Sequence, residues 1–166
     1  MTQKKYELLK NDTITAPNGK TLYRIKALID FGVVLAGSLG GYIEKEDNLA
    51  HTGNAWVYGN AWVSSDAQVS GNARVYGNAL VSSNARVYSD KDLVWFSKVG
   101  TEQGTLTVYK SKDGSLLATR GCFSGTVDEF LAKSAKVHND RIKREYLLLI
   151  EVAKSRLLGE SYVPTF

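Results

Sequence analysis

Residues 53 to 88 read GNAWVY GNAWVS SDAQVS GNARVY GNALVS SNARVY, a run of six consecutive units of six residues each. The run has a second level of repetition, because residues 53–70 and residues 71–88 are identical at 13 of 18 positions. A fixed period with one aliphatic residue per unit is typical of a solenoid, in which stacked units share one core. Three units of six residues in each coil of 18 predict a three-sided prism.

One valine stands at the same place in every unit, and β-branched residues favour extended backbone. We therefore expect the valines to form an inward-facing ladder, made of Val57, Val63, Val69, Val75, Val81 and Val87. The alanine two residues before each valine lies on the same side of a strand, close to a corner where only a small side chain fits. Each unit begins with Gly or Ser and then Asn or Asp, residue types that form turns.

The spacing of aliphatic, turn and small residues resembles the hexapeptide repeat of left-handed parallel β-helices, which is known from acyltransferases and nucleotidyl-sugar transferases. The left hand is implied by this resemblance alone, since ordinary parallel crossovers are right-handed. A wider pattern resembles uncharacterised proteins of bacteriophages and prophages, and it consists of LGGYIEKEDNL at 39–49, GNAWVYGNAWV at 53–63 and GCFSGTVDEF at 121–130. This second resemblance implies a genomic setting and no particular activity.

The flanking sequence divides the chain into three regions, a β cap at 1–35, the β-helix at 36–90 and an α+β domain at 91–166. Strand-like residues around the turn Pro17-Asn18-Gly19 predict an N-terminal hairpin that covers one end of the prism. Ile43 and Leu49 continue the six-residue spacing, but Val57 follows Leu49 by eight residues. We therefore expect an imperfect first coil with extra residues at His51-Thr52. The fold class is mainly β.

The C-terminal region predicts antiparallel strands followed by two helices. The strand-like segments are 93–99, 105–110 and 115–119. Thr126 and Glu129 have the spacing of a capping box, which predicts the start of the first helix. Asp140 is the predicted cap of the second helix, which Gly159 and Pro164 should end.

Composition limits the class of protein. The chain has 166 residues and a net charge of +4 that is spread along it, which favours a solvated surface over nucleic-acid binding. A single cysteine, Cys122, excludes an internal disulfide and fits a reducing compartment. No apolar run approaches the ~20 residues of a membrane span, and the first residues lack the apolar segment of a signal peptide. We therefore expect a cytoplasmic protein, in the host cell if a phage encodes it.

His51 is the candidate catalytic residue, because the resemblance to hexapeptide transferases implies a histidine base near a coil. The repeat runs from 53 to 88 without an insertion that could hold an acyl carrier, so we expect a protein that is not an enzyme. One cysteine and two separated histidines do not match a zinc-binding spacing. Neither a metal nor another cofactor is expected.

The residues that flank each valine should face solvent, and many of them are aromatic or arginine, the types enriched at binding hot spots. The candidate binding residues are Trp56, Tyr58, Trp62, Arg74, Tyr76, Arg86 and Tyr88. Two explanations remain open: burial of these faces in a homo-oligomer, a trimer or a dimer, or a platform for a host protein or a small nucleotide.

Three functional hypotheses follow from these residues and resemblances. The leading hypothesis is a non-catalytic phage-type binding protein that sequesters or inhibits a host component, either a defence protein or a nucleotide signal. The second hypothesis is a hexapeptide-repeat acyltransferase that uses His51. The third is a purely structural trimerisation module.

Overall fold

The computed structural model describes residues 3–159, and this part of the chain is mainly β with two α-helices. Three strands precede the repeat: β1 (Tyr6–Thr15), β2 (Thr21–Ala27) and β3 (Leu39–Ile43). The repeat forms β4 (Trp56–Val57), β5 (Trp62–Val63), β6 (Gln68–Val69), β7 (Arg74–Val75), β8 (Leu80–Val81) and β9 (Arg86–Val87). The C-terminal elements are β10 (Leu93–Val99), β11 (Gly104–Lys110), β12 (Leu116–Arg120), β13 (Phe123–Thr126), α1 (Val127–Val137) and α2 (Asp140–Leu158).

The strands β4, β5 and β6 each pair in parallel with the strand 18 residues later, which is β7, β8 and β9 respectively. The paired valines are Val57 with Val75, Val63 with Val81, and Val69 with Val87. All of these valines are buried, with exposed fractions of 1% or less. The predicted inward ladder is therefore confirmed, and its core is continuous because stacked units share one interior.

The irregular first coil is also confirmed. Ile43 pairs in parallel with Val63, and Leu49 pairs in parallel with Val69, so both separations are 20 residues instead of 18. The buried side chain of Asn48 fills this coil, donating hydrogen bonds to the carbonyls of Ser65 at 3.1 Å and of Ala67 at 2.8 Å. A buried amide is tolerated here because its polar atoms have partners.

The predicted N-terminal hairpin is present, since β1 pairs antiparallel with β2. β2 pairs in turn with β3, so the hairpin extends the sheet that β5 and β8 continue. Tyr6 and Ile25 also place their fully buried side chains in the same core as the valine ladder. The hairpin is thus joined to the solenoid both through a sheet edge and through its interior.

A buried lysine binds carbonyl groups of the first repeat coil. In the regular coils the N–H of one coil donates to a carbonyl of the next, as Trp56 does to Ala73. The ladder of β4 and β7 has no strand before β4, so the carbonyl of Ala55 lacks a backbone donor from an earlier strand. The Nζ of Lys5 donates to that carbonyl at 2.7 Å, and Lys5 is 1% exposed. Burial lowers the pKa of Lys5 to about 8. Lys5 therefore satisfies the open carbonyl at one end of the solenoid.

The other end has open N–H groups, and residues after the repeat accept from them. The amide of Arg74 donates to Asp90 Oδ1 at 2.9 Å, and that of Leu80 donates to Thr107 Oγ1 at 3.1 Å. The amide of Ser82 donates to the hydroxyl of Tyr109 at 3.2 Å. Side chains rather than another coil thus terminate the ladder, which prevents open strand edges from pairing with other chains.

The sheet of β10, β11, β12 and β13 lies between the last coil and the helices. Leu93, Tyr109 and Leu117 belong to the solenoid core. Leu106 and Ala118, on the opposite side, pack with residues of α1 and α2 in a second core. One antiparallel sheet therefore closes the solenoid and also supports the helices.

The structure adds one strand to the C-terminal region and corrects one helix cap. The segment Phe123–Thr126 was not among the predicted strands, and it forms β13, which pairs with β12. The cap of α2 is Asn139 rather than Asp140, because the Asn139 side chain accepts from the amide of Ile142 at 3.0 Å. The capping box of Thr126 and the end of α2 at Gly159 are confirmed, whereas Pro164 lies outside the described residues.

Candidate functional site

Aromatic side chains stack along one corner of the solenoid. The rings of Tyr58 and Tyr76 are stacked, with centroids 4.9 Å apart and an interplanar angle of 11°. Tyr76 and Trp95 make an edge-to-face contact, with ring centroids 4.7 Å apart and an interplanar angle of 89°. We call Tyr58, Tyr76 and Trp95 the aromatic column. Stacked and edge-to-face contacts of this kind are favourable arrangements of aromatic rings.

Trp95 was missed by the sequence analysis, which ended the repeat at Asp90. A signal was present, because Leu93 follows Val87 by six residues and is 6% exposed, like a further member of the ladder. Leu93 anchors the start of β10 and brings Trp95 over the second coil, where its indole Nε1 would lie 3.2 Å from a Cβ at Gly77. The absence of a side chain at Gly77 therefore leaves room for Trp95.

Arg74 lies beside the aromatic column and is held by Asp90. Its Nη2 is 3.0 Å from Asp90 Oδ2, and both side chains are about half exposed, at 52% and 50%. The hydrogen bond with Asp90 raises the pKa of Arg74, so the guanidinium is charged at all physiological pH values. The pair presents a fixed cation and a fixed anion next to aromatic rings.

A groove of about 380 Å³ lies between the coil surface and the loop that precedes β3. We call this hollow the loop groove, and its lining includes Val33, Val34, Leu39, Trp56, Tyr58 and Arg74. Val33 is 92% exposed and Leu39 is 55% exposed, so apolar side chains rim the hollow. Tyr58 and Arg74 connect the groove to the aromatic column.

Trp56 was predicted to face solvent, and this prediction was wrong. Its side chain is 4% exposed because Phe31, from the loop that precedes β3, packs edge-to-face against the indole, with ring centroids 5.2 Å apart. The ring of Tyr6 also contacts the indole, with centroids 6.4 Å apart. Trp56 is therefore part of the floor under the groove and a member of the solenoid core.

The remaining candidate residues lie away from this corner. Trp62 is half-buried between Tyr42 and Leu80 in another ladder, and it lines a small hollow of about 90 Å³. Arg86 is half-buried in the third ladder, and its Nη1 is buried without a hydrogen-bond partner in the described part of the chain. Tyr88 is 59% exposed. The structure thus brings together Tyr58, Arg74 and Tyr76 above the buried Trp56, and it separates Trp62, Arg86 and Tyr88 from them.

His51 lies under the N-terminal strand and lines a surface hollow of about 290 Å³. Its Nδ1 accepts a hydrogen bond from the amide of Lys5 at 3.0 Å, and its ring stacks on Tyr6 with centroids 4.2 Å apart. The neutral imidazole must then carry its proton on Nε2, which is buried and lies 3.7 Å from Glu46 Oε1. His51 therefore fastens the start of β1 to the first coil.

We expect acidification to weaken the fold through His51. Burial lowers the pKa of His51, while nearby Glu46 opposes this shift. The unfolded chain, with a histidine pKa of about 6.5, then binds the proton first, so stability is lost as the pH falls below that value. Denaturation in urea at pH 7 and pH 5 should show this loss.

The control variants for this prediction are His51→Asn and His138→Asn. Asparagine can accept from the Lys5 amide without titrating, so His51→Asn should flatten the pH dependence between pH 7 and pH 5. His138→Asn should leave that dependence intact. An equal pH dependence in all three proteins would contradict the role assigned to His51.

Within residues 3–159, no group of three or more His, Cys, Asp or Glu side chains is placed to hold a metal ion. Over the same described range, no helix has both the length and the apolar character that crossing a bilayer requires.

A comparison with protein families matches residues 67–83 to a model described as YdcK Beta solenoid repeat. The matched segment covers β6, β7 and β8 and thus three consecutive valines of the ladder. A search of curated proteins finds no match to the chain. The family match and the parallel pairing together support a β-solenoid repeat protein.

Proposed function

We propose that this chain is a non-catalytic binding protein that captures a partner protein at the aromatic column and the loop groove. In the phage setting that the sequence resembles, the partner is a host component, such as a defence protein, which the chain sequesters. The observation that carries this proposal is the junction on one face of stacked aromatic rings, of which Tyr76 is 40% exposed, with an apolar groove and the Arg74–Asp90 pair.

The chemistry of this face fits a protein surface. Val33, Leu39 and Tyr76 expose 92%, 55% and 40% of their area. A monomer seldom leaves that much apolar surface exposed at one place. Aromatic residues and arginine are also the types that carry most binding energy in protein interfaces. A partner with an apolar segment for the groove and a charged residue for Arg74 or Asp90 would complement it.

A small nucleotide is the weaker candidate ligand for this face. A base stacks on a free aromatic face, and one face each of Tyr58 and Tyr76 is already occupied by the other ring. The charge of Arg74 is also balanced by Asp90 at 3.0 Å, which reduces the attraction for a phosphate. A protein partner needs neither a free ring face nor an unbalanced cation.

The position of His51 supports the proposal that the chain is not an enzyme. A general base needs a nitrogen within hydrogen-bond reach of a substrate. The Nδ1 of His51 is occupied by the amide of Lys5, and Nε2 is buried. The acyltransferase hypothesis therefore has no accessible basic nitrogen at this residue.

We further propose that the protein is a homo-oligomer, a trimer or a dimer. Support comes from α2, whose Leu147, Leu148 and Val152 are 50%, 52% and 47% exposed on the side away from the sheet. Burial of apolar side chains between copies would stabilise the assembly by roughly 25 cal/mol per Å². Light scattering would report the mass of the assembly.

The finer architecture that we propose is a three-sided, left-handed β-helix with a cap at each end. The repeated 18-residue separation within parallel ladders supports three sides to each coil. The left hand is supported only by the resemblance to hexapeptide-repeat proteins. An experimental electron density map would decide the hand.

The variants Arg74→Ala and Tyr76→Ala test the proposed binding face. The ion pair of Arg74 is exposed, so its loss should change stability by less than about 1 kcal/mol. Removal of a side chain that contributes ~2 kcal/mol to the binding free energy weakens the affinity about 30-fold. We expect Arg74→Ala to keep its melting temperature and Tyr76→Ala to lose about 1 kcal/mol with its ring contacts. Both variants should keep their oligomeric mass but lose capture of the partner from an extract of the host cell.

Gln68→Ala is the matched control, because Gln68 is exposed on another ladder of the same solenoid. It should capture the same protein as the wild-type chain, and the captured protein should bind again when purified. Equal capture by all variants would place recognition elsewhere. A co-purifying ligand that absorbs near 260 nm instead of a protein would favour the nucleotide hypothesis.

A further inference from the structure

A second cavity lies in the C-terminal region, apart from the loop groove. It has a volume of about 300 Å³ and lies between the turn that joins β12 to β13, the C-terminal half of α1 and Tyr146 of α2. This volume is within the range of pockets that hold small molecules. We call it the helix pocket.

Cationic side chains line the helix pocket without ionic partners. The Nε of Arg120 donates to the Tyr146 hydroxyl at 3.1 Å, and its Nη2 donates to the carbonyl of Val99 at 3.3 Å, so both acceptors are neutral. In the described part of the chain, no carboxylate lies within 4.0 Å of Arg120 or Lys133. Arginine has five N–H donors, so Arg120 retains donors for a further acceptor.

The charge balance of the lining is positive. Glu102 is the acidic residue among the lining side chains, and it is exposed. Arg120 and Lys133 together outnumber it, and His138 adds a ring that can donate a hydrogen bond. An anion that enters the pocket can therefore form a charge-assisted hydrogen bond with the half-buried Arg120.

The walls of the pocket are aromatic. Phe130 contacts Tyr146 edge-on at 4.8 Å, and Phe123 contacts Phe130 at 5.6 Å. The Nζ of Lys133 lies 5.6 Å from the centre of the Phe123 ring. An apolar wall beside unpaired cations suits a ligand that has both an apolar body and an anionic group.

We propose that the helix pocket binds a small anionic ligand with an aromatic or apolar body, in which a carboxylate or phosphate contacts Arg120 and Lys133. The apolar body packs on Phe123 and Phe130. This site is independent of the face proposed for the partner protein, because the two share no lining residue.

Cys122 provides a local reporter for the test. It is the only cysteine in the chain, it is exposed, and it lines the helix pocket. A bound ligand should shield its thiol from reagents. An uncharged reagent such as iodoacetamide avoids any effect of the lining charges on the approach of the reagent itself.

The experiment measures the rate of Cys122 alkylation in the full chain with benzoate, phenyl phosphate or inorganic phosphate present. We expect benzoate or phenyl phosphate to slow alkylation in a saturable manner. The better of these two probes identifies the preferred anionic group. Protection by inorganic phosphate alone would overturn the requirement for an apolar body.

Lys133→Gln is the test variant and Lys136→Gln is its matched control, since both lysines are exposed on α1 but only Lys133 lines the pocket. Losing one charge-assisted contact should raise the probe concentration for half protection about tenfold in Lys133→Gln. Lys136→Gln should behave like the wild-type chain. No protection at millimolar probe, or equal protection in both variants, would overturn the proposed site.

Discussion

Val69→Asp should unfold the solenoid, whereas Gln68→Asp, one residue away in the same strand, should leave it folded. Val69 is fully buried between Leu49 and Val87 in adjacent coils. A carboxylate at that position has no hydrogen-bond partner, so the substitution should cost about 4 kcal/mol or more. Such a loss is comparable to the whole stability of many domains, about 5–15 kcal/mol.

Urea denaturation followed by circular dichroism measures this difference. Gln68 is exposed, so the carboxylate of Gln68→Asp stays in water and should change the free energy of unfolding by less than about 0.5 kcal/mol. Equal stability of the two variants would show that the ladder does not face inward.

Gly40→Ala should be the second most damaging substitution. A Cβ at Gly40 would lie 2.5 Å from the carbonyl oxygen of Val57 and 2.6 Å from Cγ1 of Ile25. The first contact is with backbone and the second with a fully buried side chain, so neither can move without disturbing the core. We expect a loss of about 3 kcal/mol in the free energy of unfolding.

Gly19→Ala is the control for this substitution. A Cβ at Gly19 would meet nothing within 4 Å, although the positive φ of +84° strains an alanine there. That strain should cost only about 1 kcal/mol. In thermal unfolding, the wild-type chain should have the highest melting temperature, Gly19→Ala the next and Gly40→Ala the lowest. The reverse order of the two variants would contradict the close packing of Gly40 in β3 against Val57 and Ile25.

Much of the solenoid could be predicted from the sequence because its information is local and repeated. The valine period of six residues predicted the parallel ladders, and the eight-residue step from Leu49 to Val57 predicted the irregular coil. The chemistry of Thr126 and Glu129 likewise identified the start of α1 from residues three apart. In each case, the residues that determine the structure are neighbours in the sequence or equivalents in the repeat.

The candidate site could be predicted only in part. The positions that flank each valine were predicted to face outward, and three of these residues, Tyr58, Arg74 and Tyr76, lie together on one corner. The same reasoning assigned Trp56 to the surface, because the period does not show which outward positions a flanking segment covers. Phe31 and Tyr6 cover that position, and they lie outside the repeat.

The sequence by itself determined the repeating core of this protein, whereas the tertiary structure decided how the core ends and which of its faces stay open. The contact of Lys5 with Ala55 joins residues 50 positions apart, and that of Leu80 with Thr107 joins residues 27 apart. The physical reason is that a stacked repeat satisfies its own backbone groups only in its interior. At its two ends the open carbonyl and N–H groups need partners from elsewhere in the chain, and no local pattern specifies those partners.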